Sequence, residues 1–245
     1  IYWSGILLAL GLPLPKQLFV HGFININKEK MSKSTGNVIS PQTVLDAWKL
    51  EEPDAFRYYM ATAAPVGKDG NFSDEDFKEK VNVDLANNMG NLLNRTLSML
   101  VKYFDGEIKP EFKVENPIET EVVKERVKSH FDKFEIQEAA MEIIELVDKT
   151  NKYVTEKAPW TLAKEGKMEE CGQVLTNVLE VMSVVSKLIY PYCPNIAEKM
   201  SKQLKIDLSK KLDEVDEIKV GKLISKEEIQ PVFLRLDSEF ATNKK

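Results

Sequence analysis

The sequence predicts a mainly α-helical protein: an antiparallel helix bundle preceded by the C-terminal edge of a doubly wound α/β domain. Three observations carry this prediction. Apolar residues recur at helical spacing in the second half, as Ile143, Leu146, Val147 and Val154, then Leu175, Val178, Leu179, Met182 and Val185. The connections between these long stretches are short, which makes successive helices antiparallel neighbours. At the other end, an apolar helix-compatible run precedes a nearly continuous apolar run over residues 18–26. That order suits a crossover helix followed by a buried parallel strand.

Taken in order, residues 1–10 are helix-compatible, and Gly11 with Pro13 and Pro15 stops them. Residues 18–26 read as the strand. Ser40 and Pro41 start a helix to about residue 50, with Ser as N-cap and Pro at the first helical position. Pro53 opens another, through Phe56, Tyr59 and Met60 to near Pro65. Asp69-Gly70-Asn71 reads as a turn. Ser73 with Asp76 gives a capping-box-like start to a long helix over 74–104. Gly106, Pro110 and Pro117 form a linker, and helices are predicted over 119–131, 136–156, 168–190 and 195–204. The tail, 210–245, is charged, with short extended pieces predicted over 220–224 and 232–236.

Composition narrows the function classes. With 43% apolar and 30% charged residues, the 245-residue chain has the balance of an ordinary globular protein. Its net charge of -5 argues against sequence-blind, charge-driven binding to nucleic acid, but leaves room for a local RNA-binding patch. Two cysteines without a CxxC pattern make a disulfide framework or a cysteine zinc site unlikely on composition. No metal ligands are assigned. No apolar run approaches the ~20 residues of a membrane span. The sequence opens at Ile1, in what reads as the middle of a domain, so a piece of a longer chain is expected.

Chemistry concentrates in Lys30-Met31-Ser32-Lys33-Ser34, followed by Thr35-Gly36-Asn37. Two ammonium groups three residues apart alternate with small hydroxyls, a donor set suited to a polyphosphate. Gly36 gives the loop a hinge. By charge pattern alone, a solvated lysine-rich turn is the stronger reading. His21 and Gly22 precede it, and a structural histidine is as good a reading there as a pocket residue. His130 has no partner at useful spacing and reads as surface or bundle packing.

On the long helix, Leu85, Met89, Leu92, Leu93, Thr96 and Leu100 form one apolar stripe. Asn87, Asn91, Asn94, Arg95 and Ser98 lie opposite. Asn91 and Arg95 are four residues apart, about 40° around the axis, and point the same way. An amide beside a guanidinium can read a base edge and a phosphate together, and a polar outer face is the alternative. Asparagine is a poor helix former, which favours the first reading. Ala158-Pro159 breaks a helix and leaves Trp160 at its end, for packing or for stacking an unpaired base.

These segments resemble the methionyl-tRNA synthetase family of class I aminoacyl-tRNA synthetases. The resemblance rests on Trp3, Leu12-Pro13, residues 19–23, the KMSKS signature over residues 30–34, the Asn91/Arg95 pair, the Ala-Pro-Trp motif at 158–160, and the closing segment over 220–235. It covers essentially the whole chain. Trp3-Ser4 departs from the Trp-Pro common in the family. The resemblance implies a Rossmann-like catalytic domain ending in a KMSKS segment over residues 1–80, a helix-bundle anticodon-binding domain over 81–209, and a tail over 210–245 packing back on the body.

The implied activity is ATP-dependent activation of methionine to methionyl-adenylate and transfer to tRNA(Met). Lys30 and Lys33 would be catalytic on the leaving pyrophosphate. His21, Gly22, Lys30, Met31, Ser32, Lys33 and Ser34 would contact ATP, although Ser32 and Ser34 read equally well as turn residues. Asn91, Arg95, Pro159 and Trp160 would bind the anticodon. Implied cofactors are ATP and Mg2+, with zinc outside this stretch, and implied partners are tRNA(Met), methionine and a preceding N-terminal catalytic half. The family's His-Ile-Gly-His motif is absent, so this piece alone is expected to be inactive. The implied location is the cytoplasm, with an organelle as the alternative. A non-catalytic tRNA-binding module and a sibling class I synthetase are the competing functions.

Overall fold

The computed structural model describes residues 1–32, 37–115, 117–210 and 218–236. Its first helix, α1 (Tyr2–Ala9), forms as the sequence predicts, and none of its residues is buried. The expected strand over 18–26 shortens to β1 (Ile24–Ile26). These three residues pair in parallel with β3 (Gly70–Phe72), and Phe23 O accepts from Gly70 N–H, while Leu18, Phe19, Val20 and Phe23 are exposed. Without a neighbouring strand, the hydrogen bonds that would extend the ladder are missing, whatever the apolar content. β3 also corrects the predicted turn. Gly70 and Asn71 belong to the strand, and the turn falls earlier, at Val66 and Gly67.

β2 (Glu29–Lys30) folds back antiparallel on β1, giving the order β2-β1-β3. The two residues between them, Asn27 and Lys28, both have positive φ, 50° and 68°. That is the backbone of a tight hairpin turn whose twist matches the strands. Lys28 N–H donates to Asn71 Oδ1 at 2.6 Å and Asn27 N–H to Phe72 O at 3.0 Å, so the turn is pinned to β3.

Two short helices follow. α2 (Pro41–Trp48) starts as its cap predicts, with Ser40 Oγ accepting from Thr43 N–H. α3 (Asp54–Thr62) packs against the sheet through Tyr59, whose hydroxyl donates to Asn71 O at 3.0 Å. Ser73 caps α4 (Asp74–Val81) through Asp76 N–H. The predicted long helix is continuous, but Asn82–Gly90 is π-helical before α5 (Asn91–Phe104) resumes. This rod is roughly 45 Å long at ~1.5 Å per residue. Its apolar stripe is the core: Leu85, Met89, Leu92, Leu97 and Leu100 have no exposed surface. Each such side chain contributes ~1.5–3 kcal/mol by leaving water.

α6 (Thr120–Asp132), α7 (Ile136–Lys157), α9 (Met168–Ile189) and α10 (Pro194–Leu204) complete the bundle, close to their predicted limits. Between α7 and α9 lies α8 (Pro159–Lys164), which the sequence reading missed. α9 is long and apolar enough to cross a membrane, but 89% of that stretch is buried inside the bundle, where it serves as the central helix. His130 does have a partner. Its Nδ1 lies 2.7 Å from Glu135 Oε2, because the α6–α7 turn folds residue 135 back onto the last turn of α6.

The tail returns along the rod. β4 (Glu107–Ile108) pairs antiparallel with β5 (Gly221–Lys222). Leu223 and Ile224 N–H donate to Gly106 O, at 2.9 and 3.2 Å. Further on, the buried amide of Asn82 both donates to Leu236 O (2.9 Å) and accepts from Leu236 N–H (2.7 Å). Leu223, Ile224, Val232 and Leu236 are buried.

Candidate functional site

The lysine loop emerges from the β1–β2 hairpin. Lys30 closes β2 opposite Asn25, and its side chain is exposed. Its Nζ sits 5.0 Å from the centroid of the Phe23 ring, a cation–π contact that orients the ammonium while leaving it solvated. Lys33, Ser34 and Gly36 lie outside the described residues. The two sides of the loop are joined by Asn37. Its Oδ1 accepts from Ser32 N–H at 2.8 Å, and its Nδ2 donates to Lys30 O at 3.1 Å. One side chain thus replaces two backbone groups, as asparagine does in turns. Sequence reasoning passed over Asn37, and its signal was an Asn directly after the hinge glycine.

Met31 and Ser32 are half-buried. His21 stands apart: its exposed ring bonds its own neighbour, Nδ1 to Gly22 O at 2.8 Å. His21 and Gly22 line an open, mainly apolar cavity of about 360 Å³ with Tyr59, Met60, Phe72 and Ile136. Lys30 does not line it. The structure therefore gathers Lys30, Met31 and Ser32, and places His21 and Gly22 on the α3 side of the sheet. The exposed Lys30 ammonium and the nearby Ser32 hydroxyl are donors that fit a polyphosphate. The described residues hold no group of three or more His, Cys, Asp or Glu side chains suited to a metal ion.

The second group lies on the bundle. Asn91 is exposed at the start of α5, and Arg95 is half-buried one turn later. Arg95 Nη2 donates to Asn151 Oδ1 on α7 at 2.8 Å. Asn151 Nδ2 donates to Asn88 Oδ1 at 2.6 Å, and Asn88 Nδ2 to Asp148 Oδ1 at 2.7 Å. Four polar side chains thus form one chain across the α5–α7 seam. Arg95 Nε is buried with no hydrogen-bond partner. Burial lowers the pKa of the guanidinium below its usual value, though arginine stays charged.

Trp160 lies just past the C-terminal end of α7, the helix whose Asn151 bonds Arg95. Ala158, at φ 44°, ends α7 and begins α8, and its carbonyl accepts from Thr161 and Leu162 N–H. Pro159 is buried at the first position of α8, where a missing N–H costs nothing. Trp160 follows, 36% exposed. It therefore begins a new helix rather than ending α7. The end of α7 is roughly 9 Å further along its axis than Asn151. Asn88, Asp148 and Asn151 were missed in the sequence, because the bonds that join them to Arg95 span about 60 residues.

A small mixed sheet with a lysine loop is thus joined by one long rod to a helical bundle. Residues 1–97 match the family model described as tRNA synthetases class I (M), and residues 109–229 that of the anticodon binding domain of methionyl tRNA ligase. The methionine–tRNA ligase of Halalkalibacterium halodurans is 40% identical over 98% of this chain and 37% of its own length. That of Bacillus subtilis is 40% identical with the same coverage. The crystal structure of Mycobacterium tuberculosis methionyl-tRNA synthetase bound by methionyl-adenylate superposes with a TM-score of 0.81, at 29% identity, over 96% of this chain and 47% of that one. The chain belongs to the methionyl-tRNA synthetase family and covers the end of the catalytic domain and the anticodon-binding domain. It spans 37% of the length of those two curated relatives.

Proposed function

We propose that this chain is part of a methionine–tRNA ligase, with residues 1–80 as the end of the catalytic domain, 81–209 as the anticodon bundle and 210–245 as the tail. In the complete enzyme the methionine carboxylate attacks the α-phosphate of ATP and pyrophosphate leaves. Lys30 and Lys33 place positive charge where negative charge grows on the leaving group, which lowers the barrier. Asn37 holds the loop shape that presents them. His21, Gly22, Met31, Ser32 and Ser34 complete the ATP contacts. Asn91 and Arg95 read base edge and phosphate, and Trp160, set by Pro159, stacks a base of the tRNA(Met) anticodon.

The observation that carries this reading is the held guanidinium. Arg95 is held by Asn151 on α7, with exposed Asn91 one turn before it, and a guanidinium ordered before binding loses less freedom on binding.

Methionine-dependent exchange of pyrophosphate with ATP, measured on the full-length protein, tests the reading. Exchange with methionine and not with isoleucine, valine, leucine or cysteine is expected. Exchange driven by one of those four would instead identify a sibling synthetase. The 245-residue chain alone is expected to give none, because it lacks the His-Ile-Gly-His motif.

A further inference from the structure

α3 has two working faces. Tyr59 bonds Asn71 O on β3, and β3 carries the sheet from which the lysine loop emerges. On the other side, Asp54 and Arg57, three residues apart and so on one face, grip the corner between α9 and α10. Asp54 is 1% exposed. Its Oδ2 accepts from Ile196 N–H at 2.7 Å and its Oδ1 from Asn195 Nδ2 at 2.8 Å. α10 has no side-chain cap of its own, so a carboxylate from another element caps it. Arg57 Nη2 donates to Pro191 O at 2.9 Å and its Nε to Tyr192 O at 3.2 Å. One residue satisfies the amides that open α10, and the other takes carbonyls just past the end of α9.

Two further contacts fix the same junction. Gln137 Nε2, in the first turn of α7, donates to Thr62 O at 2.7 Å. Tyr58 Oη donates to Asp84 Oδ2 at 2.7 Å on the π-helical stretch. α3 is therefore a block held between the lysine-loop sheet and the end of the bundle. Polar groups with fixed geometry set its angle, where apolar packing would permit sliding.

We propose that Asp54 and Arg57 are positioning residues for tRNA charging: they fix the angle between the lysine-loop sheet and the anticodon bundle, so that a tRNA held at Arg95 and Trp160 meets the reaction centre. This rests on the ligase reading above. Neither residue is among those assigned above to ATP or to the anticodon. Asp54→Ala would strand buried donors and risk unfolding. Arg57, whose side chain reaches the surface, is the variant of choice.

The test uses the full-length protein with nitroxide labels at Lys28, on the hairpin, and Lys152, on α7, attached through bio-orthogonal side chains. Pulsed EPR of the unmodified joint is expected to give one narrow distance distribution, and Arg57→Ala to broaden it, with Arg57→Lys intermediate. Methionine-dependent pyrophosphate exchange is expected to stay within about twofold in Arg57→Ala. Its kcat for charging tRNA falls about tenfold, with KM for tRNA within about twofold. A distribution as narrow in Arg57→Ala as in the parent overturns the joint. A broadened distribution with exchange and charging lowered alike overturns the positioning role. If the parent protein neither exchanges nor charges, the ligase reading fails, and with it the positioning role, while the distance distributions still judge the joint.

Discussion

Asn151→Ala probes the seam that holds Arg95. The side chain accepts from Arg95 Nη2 at 2.8 Å and donates to Asn88 Oδ1 at 2.6 Å and to Val147 O at 3.3 Å. A hydrogen bond to a charged group contributes ~1.5–3 kcal/mol and a neutral one ~0.5–1.5. Arg95 and Asn151 are only half-buried, so the low ends apply. Alanine recovers ~0.5 kcal/mol of helix propensity over asparagine. The net loss of stability is therefore about 1–2 kcal/mol, or a fall in Tm of about 2–8 °C for a chain of this size. The effect on RNA is separate. A released Arg95 must be ordered again on binding, at ~1–2 kcal/mol of rotamer entropy. Binding of an anticodon stem-loop should weaken about 5- to 30-fold. A double-mutant cycle with Arg95→Ala checks this by fluorescence anisotropy. If Asn151 acts through Arg95, the double variant binds no more weakly than Arg95→Ala alone. Full additivity, or Asn151→Ala binding within twofold of the parent, would refute the reasoning.

Trp160→Ala should cost about 1–3 kcal/mol in stem-loop affinity, the contribution of one stacked base, and Trp160→Phe should retain much of it; equal affinity for all three would remove the stacking role. Asn37→Ala removes the bonds to Ser32 N–H and Lys30 O. Pyrophosphate exchange by the full-length protein should fall about tenfold with stem-loop binding unchanged, since small misplacements at a reaction centre are costly. Gly106→Ala combines a φ of 73° with a Cβ that would collide with the Ile224 carbonyl. The tail should detach there, lowering stability by about 2–4 kcal/mol, read as a Tm shift of about 4–16 °C by calorimetry.

Local chemistry made much of this fold legible. Ser40 and Ser73 cap the helices they were expected to cap, and the stripe from Leu85 to Leu100 is buried as its spacing predicts. These are signals carried within a few residues of sequence. The misreadings share a different cause. Residues 18–22 have a strand's composition but no neighbour to pair with, and Gly70-Asn71 has a turn's composition but meets β1. Neither fact is encoded nearby. The π-helical stretch meets the tail at both of its ends, where Asn82 bonds Leu236 and Gly90 lies beneath Val232, some 140 to 150 residues later in sequence. Of the site, Asn91, Arg95 and Trp160 were visible as unusual residues on helices. Asn151 was not, because an asparagine inside α7 has meaning only once α5 is set against it. His130 was given no partner because a turn that brings residue 135 back over residue 130 is a conformational fact rather than a pattern of spacing.

Recognition of an anticodon by the bundle is the central proposal for this protein. The most direct measurement is the affinity of this chain for a stem-loop bearing the anticodon CAU, beside the same hairpin with its first anticodon base changed. A clear preference for CAU, lost in Arg95→Ala and Trp160→Ala, is the predicted result. Equal binding of the two hairpins by the parent chain, repeated with the full-length protein, would contradict it.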